Sequence, residues 1–176
     1  IHKNIKKTQS KILSIIVPRH PARGLEIAKT LRDMGLNVIL RSTNTSPDIG
    51  TDIYIADTLG ELGLLYRLVP IVYIGKSLVS TGGQNPLEAA RLDCAIVFGP
   101  RMDNFKEITA KLLKNNACIE VSNEPGLLKT IKRLIETPEE CHQLAKSARQ
   151  VTDEQTKVLE SVLNELEPFL SMEHQC

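Results

Sequence analysis

The sequence contains no tryptophan and only three tyrosines and three phenylalanines among 176 residues. Proteins that hold single-stranded nucleic acid use aromatic side chains as stacking platforms, so this scarcity argues against such a role. The formal net charge is +1, which leaves no broad positive field to attract a polyanion. We therefore expect no nucleic acid among the partners of this chain.

Patterns typical of metal sites and membrane spans are also missing. The four cysteines have irregular spacing and no C-x-x-C pair, which indicates neither a zinc site nor a disulfide framework and fits a reducing cytoplasm. No H-E-x-x-H, D-x-D or G-x-x-x-x-G-K-[ST] pattern occurs, so we expect neither a metal nor P-loop chemistry. No apolar run reaches the roughly 18 to 20 residues that cross a bilayer, and we expect a soluble chain.

What the sequence does have is an alternation of short β-branched runs with longer helical patterns, which is typical of βα units around a parallel sheet. Each predicted strand is apolar enough to be covered on both faces. The strands are predicted at residues 12–17, 37–41, 52–56, 71–75, 94–98 and 117–121. The helices between them are predicted at residues 22–34, 59–68, 86–92, 104–113 and 126–135. We expect an α/β fold, a Rossmann-like doubly wound parallel sheet of about six strands.

The pattern changes after Pro138 to two helices without a strand, at residues 139–150 and 152–170. The second carries an apolar stripe at residues 158–169 that needs a cover. We predict one domain at residues 1–150 and a separate C-terminal helix at residues 151–176. The first residue, Ile1, is not methionine, and we expect the chain to be part of a longer protein.

In open α/β sheets, ligands bind at the carboxyl ends of the strands, so the loops after the strands are the candidate site. The first such loop, residues 18–23, combines two prolines with Arg19, His20 and Arg23. A stiff loop with arginine suits an anion, although a solvated turn gives the same pattern.

The loop at residues 57–62 allows a purely structural interpretation as well. Thr58 and Glu61 have the spacing of a capping box, which explains both residues without a ligand. It does not explain Gly60, because glycine in a first helical turn costs about 1 kcal/mol relative to alanine.

The third loop, residues 75–88, is rich in glycine and leads into a helix with Asn85 as the predicted N-cap, Pro86 at N1 and Glu88 at N3. The amides of such a terminus favour a phosphate. Further donors come from Lys76, Ser77, Ser80 and Thr81. Capping explains Asn85 and Glu88 but not the adjacent glycines, which favours a ligand site. In the fourth loop, residues 98–105, we expect Asn104 to be an N-cap.

Taken together, these loops resemble those of the bacterial Kdo transferases, which move an eight-carbon acid sugar from CMP-Kdo to a lipid A precursor. The matching runs are VPRHP at 17–21, ADTLGELGL at 56–64, GKSL at 75–78, GGQNPLE at 82–88 and FGP at 98–100. They keep the family's order and spacing across most of the chain. The family usually has Gly, His and His where Lys76, Gln84 and Arg101 stand.

The resemblance implies the carboxy-terminal half of a GT-B glycosyltransferase. Residues 1–150 would bind the CMP-sugar donor, and the helix at residues 151–176 would pack toward the enzyme's N-terminal domain. Arg19, Ser77 and the amides near Asn85 would face the phosphate, and Glu88 would accept from the ribose diol. The ten implied contacts are Pro18, Arg19, Gly60, Glu61, Leu62, Ser77, Asn85, Pro86, Leu87 and Glu88.

The resemblance also implies transfer with inversion, with CMP as the leaving group and no metal. The general base, a glutamate, would lie in the enzyme's own N-terminal domain, so this chain alone would be inactive. The full-length enzyme would work on a lipid A precursor at the cytoplasmic face of the inner membrane. Two alternatives stay open: half of another GT-B enzyme that uses a UDP-sugar, and a complete, non-catalytic module that binds a nucleotide or phosphate.

Overall fold

A computed structural model of the chain describes residues 1–79 and 82–170, with side chains up to residue 154. Six strands lie at β1 Ser14–Ile16, β2 Val38–Leu40, β3 Ile53–Ile55, β4 Ile71–Tyr73, β5 Ala95–Phe98 and β6 Cys118–Glu120. The α-helices are α1 His2–Lys6, α2 Gly24–Asp33, α3 Leu62–Leu68, α4 Leu87–Arg91, α5 Lys106–Lys114, α6 Glu124–Glu136 and α7 Pro138–Leu170.

All six predicted strands are present and pair in parallel, which confirms the α/β fold class. They form two sheets of three, in the orders β1-β3-β2 and β4-β5-β6. The expectation of six strands in one sheet was therefore wrong. An alternating pattern identifies strands and their parallel connections, but it does not encode which strands exchange backbone hydrogen bonds.

The chain divides into two compact units, Ile1–Leu65 and Tyr66–Cys176. In the first unit, α2 packs on β2 and β3 around the fully buried Ala28 and Ile55. In the second unit, all four residues of β5 are buried. The edge strands β1 and β4 are only half-buried, which corrects the expectation that every strand is covered on both faces.

Helix α2 ends as its sequence predicts. The amide of Gly35 bonds to the carbonyl of Arg32, and the amide of Leu36 bonds to that of Leu31, which is the Schellman pattern with Gly35 at C′. Leu25 is apolar like the residues of the buried stripe, but it is 72% exposed. At 3.6 residues per turn it lies about 110° around the helix from the centre of the buried stripe.

Helix α7 runs without a break through residues 138–170, where two helices were predicted. No glycine or proline stands near residue 151 to end the first helix, and Val151 and Thr152 are both buried. The side chains of the predicted stripe at residues 158–169, and all of residues 171–176, lie outside the described part, and the boundary at residue 150 stays a prediction. Among the described helices, none has the length and apolar character that crossing a bilayer requires.

Helix α1 was not predicted from the sequence. Two of its side chains, His2 and Lys6, contact the carboxylate of Asp52. The Asp52 carboxylate is nearly buried and accepts from the Asn37 amide at 2.8 Å and from the Lys6 ammonium. The His2 ring contacts both Ser14 (2.8 Å) and Asp52. Hydrogen bonds from Lys6 and then Asn37 lower the pKa of Asp52 to about 2, so the carboxylate is ionised at neutral pH.

Candidate functional site

The ten predicted contact residues fall into two groups of five, one in each unit. The first group follows β1 and β3, which pair directly with each other. The second group follows β4 and forms the start of α4. Each group therefore lies beyond the carboxyl ends of strands in its own parallel sheet, where ligands of such sheets bind.

Arg19 is the exposed cation of the first group. It lies just after β1, beside the half-buried Pro18, and makes no hydrogen bond or ion pair to the residues that the structure describes. Its guanidinium can therefore bind an anion without first breaking an internal contact.

Glu61 is held by Arg41, a residue that the sequence analysis did not single out. The Arg41 Nε donates to both carboxylate oxygens at 3.1 Å, and Nη2 donates to Oε1 at 2.9 Å. The Thr58 hydroxyl donates to the same carboxylate. These hydrogen bonds, from Arg41 first and then Thr58, lower the pKa of Glu61. Glu61 is thus an ionised carboxylate that is already engaged.

The predicted capping box at Thr58 does not form. Gly60 has φ +84°, a left-handed conformation that interrupts any helix and that glycine adopts without a steric penalty. Helix α3 therefore begins at Leu62, and Thr58 bonds the side chain of Glu61 instead of an α3 amide. This backbone turn is sufficient to explain the glycine, and the ligand contact implied for Gly60 stays a prediction.

A second missed contact ties the loop after β2 to the loop after β3. The backbone amide of Ser42 donates to Asp57 Oδ1 at 2.9 Å, and the Ser42 hydroxyl donates to Oδ2 at 2.6 Å. Residues 42–51 read as an ordinary polar loop in the sequence. One feature of the sequence could have indicated these residues. Arg41 and Ser42 directly follow a strand, at the edge of the sheet where ligands bind.

Ser77 is fully buried. Its hydroxyl donates to the Ile74 carbonyl at 2.6 Å and accepts from the Gly99 amide at 2.7 Å. Its own carbonyl accepts from the Arg101 amide at 2.9 Å. A hydroxyl used in this way is not available to a phosphate, so the phosphate contact implied for Ser77 is not supported. Ser77 instead joins the loop after β4 to the loop after β5.

The side chain of Asn85 accepts from the Leu87 amide at 3.0 Å, a cap-type bond, although α4 begins one residue later than predicted. Pro86 is buried and Glu88 is exposed, and Glu88 makes no hydrogen bond or ion pair within the described residues. Because α4 has only five residues, its helix dipole is weak. An anion here would depend on local amides and nearby cations.

The paired glycines before α4 have a packing explanation. Gly83 has φ +54°, and a Cβ at this position would lie 2.4 Å from the Met102 sulfur. A Cβ on Gly82 would lie 3.0 Å from the side-chain nitrogen of Asn104. The prediction that Asn104 is an N-cap was wrong, because α5 begins at Lys106 and its N-cap is Phe105. Ser80 and Thr81, named as further donors, lie outside the described residues.

Within the described part of the chain, no three His, Cys, Asp or Glu side chains are grouped as a metal ion would require. The buried thiols of Cys94 and Cys118 have pKa values raised by burial, to about 11 and about 12. They are unreactive core residues at neutral pH.

Comparison with known proteins gives two kinds of relative. The 3-deoxy-D-manno-octulosonic acid transferases of Rickettsia typhi and Haemophilus influenzae are 34% and 32% identical over 169 and 170 residues, which is 95% and 96% of this chain. The chain spans only 36% and 40% of the length of these two proteins. No protein-family model matches the chain.

One solved structure is similar over most of its length. It is the crystal structure of the C-terminal CMP-Kdo binding domain of WaaA from Acinetobacter baumannii. The two chains are 32% identical and superpose with a TM-score of 0.78, covering 85% of this chain and 78% of that one.

Proposed function

This chain belongs to the family of 3-deoxy-D-manno-octulosonic acid (Kdo) transferases, and we propose that it is the part of such an enzyme that binds the donor, CMP-Kdo. The observation that carries the proposal is the similarity to the CMP-Kdo binding domain of the Acinetobacter protein, over 85% of this chain and at 32% identity. Both groups of predicted contacts lie at strand ends, where such a ligand binds.

For four of the ten predicted contacts, a role follows from the environment of the side chain. Arg19 binds the phosphate, because its guanidinium is exposed and without an internal partner in the described residues. Glu88 accepts from the ribose diol, because its carboxylate is exposed and makes no described hydrogen bond. The Glu61 side chain is held by Arg41, and its carbonyl accepts from the amides of Leu64 and Leu65, so Glu61 acts by positioning the start of α3. Ser77 supports the loop, because its buried hydroxyl is already engaged by Ile74 and Gly99.

In the reaction that we propose for the full-length enzyme, an acceptor hydroxyl attacks the anomeric carbon of Kdo with inversion, and CMP leaves. A donor-binding domain assists by stabilising the negative charge that grows on the departing phosphate. Cations and backbone amides do this here. The general base, the lipid A precursor and the contact with the cytoplasmic face of the inner membrane belong, in this proposal, to the enzyme's N-terminal domain.

Titration of CMP into the purified chain tests the proposal. We expect saturable binding of CMP and weaker binding of UDP, because the proposed donor, CMP-Kdo, carries cytidine and a single phosphate. The variant Glu88→Gln is expected to keep its melting temperature, since the side chain is exposed and makes no described hydrogen bond. It should bind CMP about tenfold more weakly, because a charge-assisted hydrogen bond is lost.

Glu107→Gln is the matched control, because Glu107 is an exposed glutamate in the first turn of α5. It should leave CMP binding unchanged. Preference for UDP over CMP would favour the UDP-sugar alternative, and absence of nucleotide binding would contradict the proposal.

A further inference from the structure

Two cations on neighbouring loops of the second unit are not used by the contacts described above. Lys76 follows β4, and Arg101 follows β5; both are exposed. Neither forms an ion pair with a carboxylate in the described part of the chain. Unpaired cations at the ligand-binding edge of a sheet are suited to an anionic ligand.

Backbone contacts hold these two residues close together. Arg101 donates its amide to the carbonyl of Ser77, the residue next to Lys76, at 2.9 Å. The buried Ser77 hydroxyl accepts from the Gly99 amide at 2.7 Å. The two loops are thus joined at two points, so the bases of the Lys76 and Arg101 side chains have a fixed relation.

Lys76 also has an unfavourable backbone conformation, with φ +67°. This left-handed conformation costs about 1–2 kcal/mol for a residue with a Cβ, whereas glycine adopts it without a steric penalty. A long cationic side chain at such a position is a reason to look for a function, because strained residues concentrate at binding sites.

The charge of the proposed donor indicates what the pair binds. CMP-Kdo carries two anionic groups, a phosphodiester and the carboxylate of its acid sugar. The ten predicted contacts include one cation, Arg19, and two carboxylates, Glu61 and Glu88. The phosphate has Arg19 as its partner, and the sugar carboxylate has none in this set.

We propose that Lys76 and Arg101 bind the carboxylate of the donor sugar. The inference rests on the proposed function, since it takes CMP-Kdo as the ligand. The planar guanidinium of Arg101 matches a carboxylate in two-point geometry, and the Lys76 ammonium adds a point charge. The two residues act on the sugar and not on the nucleotide.

The test compares CMP-Kdo with CMP, which lacks the sugar carboxylate, on the wild-type chain and on Lys76→Asn and Arg101→Gln. Asparagine tolerates the left-handed conformation, and Arg101→Gln keeps the amide that bonds Ser77, so both variants should melt near the wild-type temperature. Each is expected to weaken CMP-Kdo binding about three- to tenfold and to change CMP binding less than twofold. Lys76→Gly should behave like Lys76→Asn.

Lys106→Gln serves as the control for a general loss of positive charge, because Lys106 lies near Arg101 in sequence and is already 3.6 Å from Asp103. It should leave both affinities unchanged. Equal losses for CMP and CMP-Kdo in the Lys76 and Arg101 variants would overturn this inference alone, since the pair would then bind phosphate. Failure of the wild-type chain to bind CMP would contradict the proposed function as well.

Discussion

Replacing Ser77 by alanine distinguishes a residue that supports a loop from one that touches the ligand. The substitution removes the acceptor for the Gly99 amide and the donor to the Ile74 carbonyl, both within a fully buried environment. An unsatisfied buried polar group costs about 1–3 kcal/mol. We expect Ser77→Ala to lower the free energy of unfolding by about 2–3 kcal/mol, or the melting temperature by roughly 5–10 °C for a chain of this size.

Thermal melts followed by circular dichroism, with CMP titrations below the melting temperature, provide the assay. Ser122→Ala, at an exposed serine in the loop after β6, should leave the melting temperature unchanged. Any loss of CMP binding by Ser77→Ala should be indirect and should accompany the loss of stability. An unchanged melting temperature together with lost CMP binding would refute the reasoning, because the hydroxyl would then be a direct ligand contact.

Two further predictions concern the first unit. The pKa of Asp52 is about 2 in the folded state against a usual 3.8, so its ionisation contributes about 2 kcal/mol of stability that is present above pH 4 and is lost as the pH falls through 2. Urea unfolding between pH 6 and pH 2.5 should therefore show a difference between wild type and Asp52→Asn that shrinks as the pH falls, and a constant difference would contradict this. Arg41→Gln and Glu61→Gln should each weaken CMP binding to a similar extent, and the double variant should be no weaker than either. Additive losses would mean that the two residues act separately.

Much of the fold was predictable because each buried strand is a short β-branched run followed by a helical pattern. The pairing of the strands was not, since the hydrogen bonds that divide them into two sheets leave no trace in the alternation. Helix α1 was missed because only Ile5 of its five residues is buried. A helix so short and polar has no apolar periodicity to detect.

At the candidate site, the sequence identified the loops correctly as those beyond the strand ends but could not assign the work of each side chain. The spacing of Thr58 and Glu61 fits a capping box, but the left-handed backbone at Gly60 prevents a helix from starting there. Nor does a sequence reveal that Ser77 is buried, or that Arg41 reaches Glu61 across 20 positions. These depend on contacts between distant segments, which local patterns do not contain.

The most direct test of the central claim is the change in backbone amide NMR shifts when CMP is added to the isotopically labelled chain. We expect saturable shifts centred on Arg19, on residues 60–62 and on residues 85–88, with little change along the exposed face of α7 around His142 and Lys146. Saturable shifts confined to that face of α7, or no shifts at millimolar CMP, would contradict the claim that this chain binds the donor nucleotide.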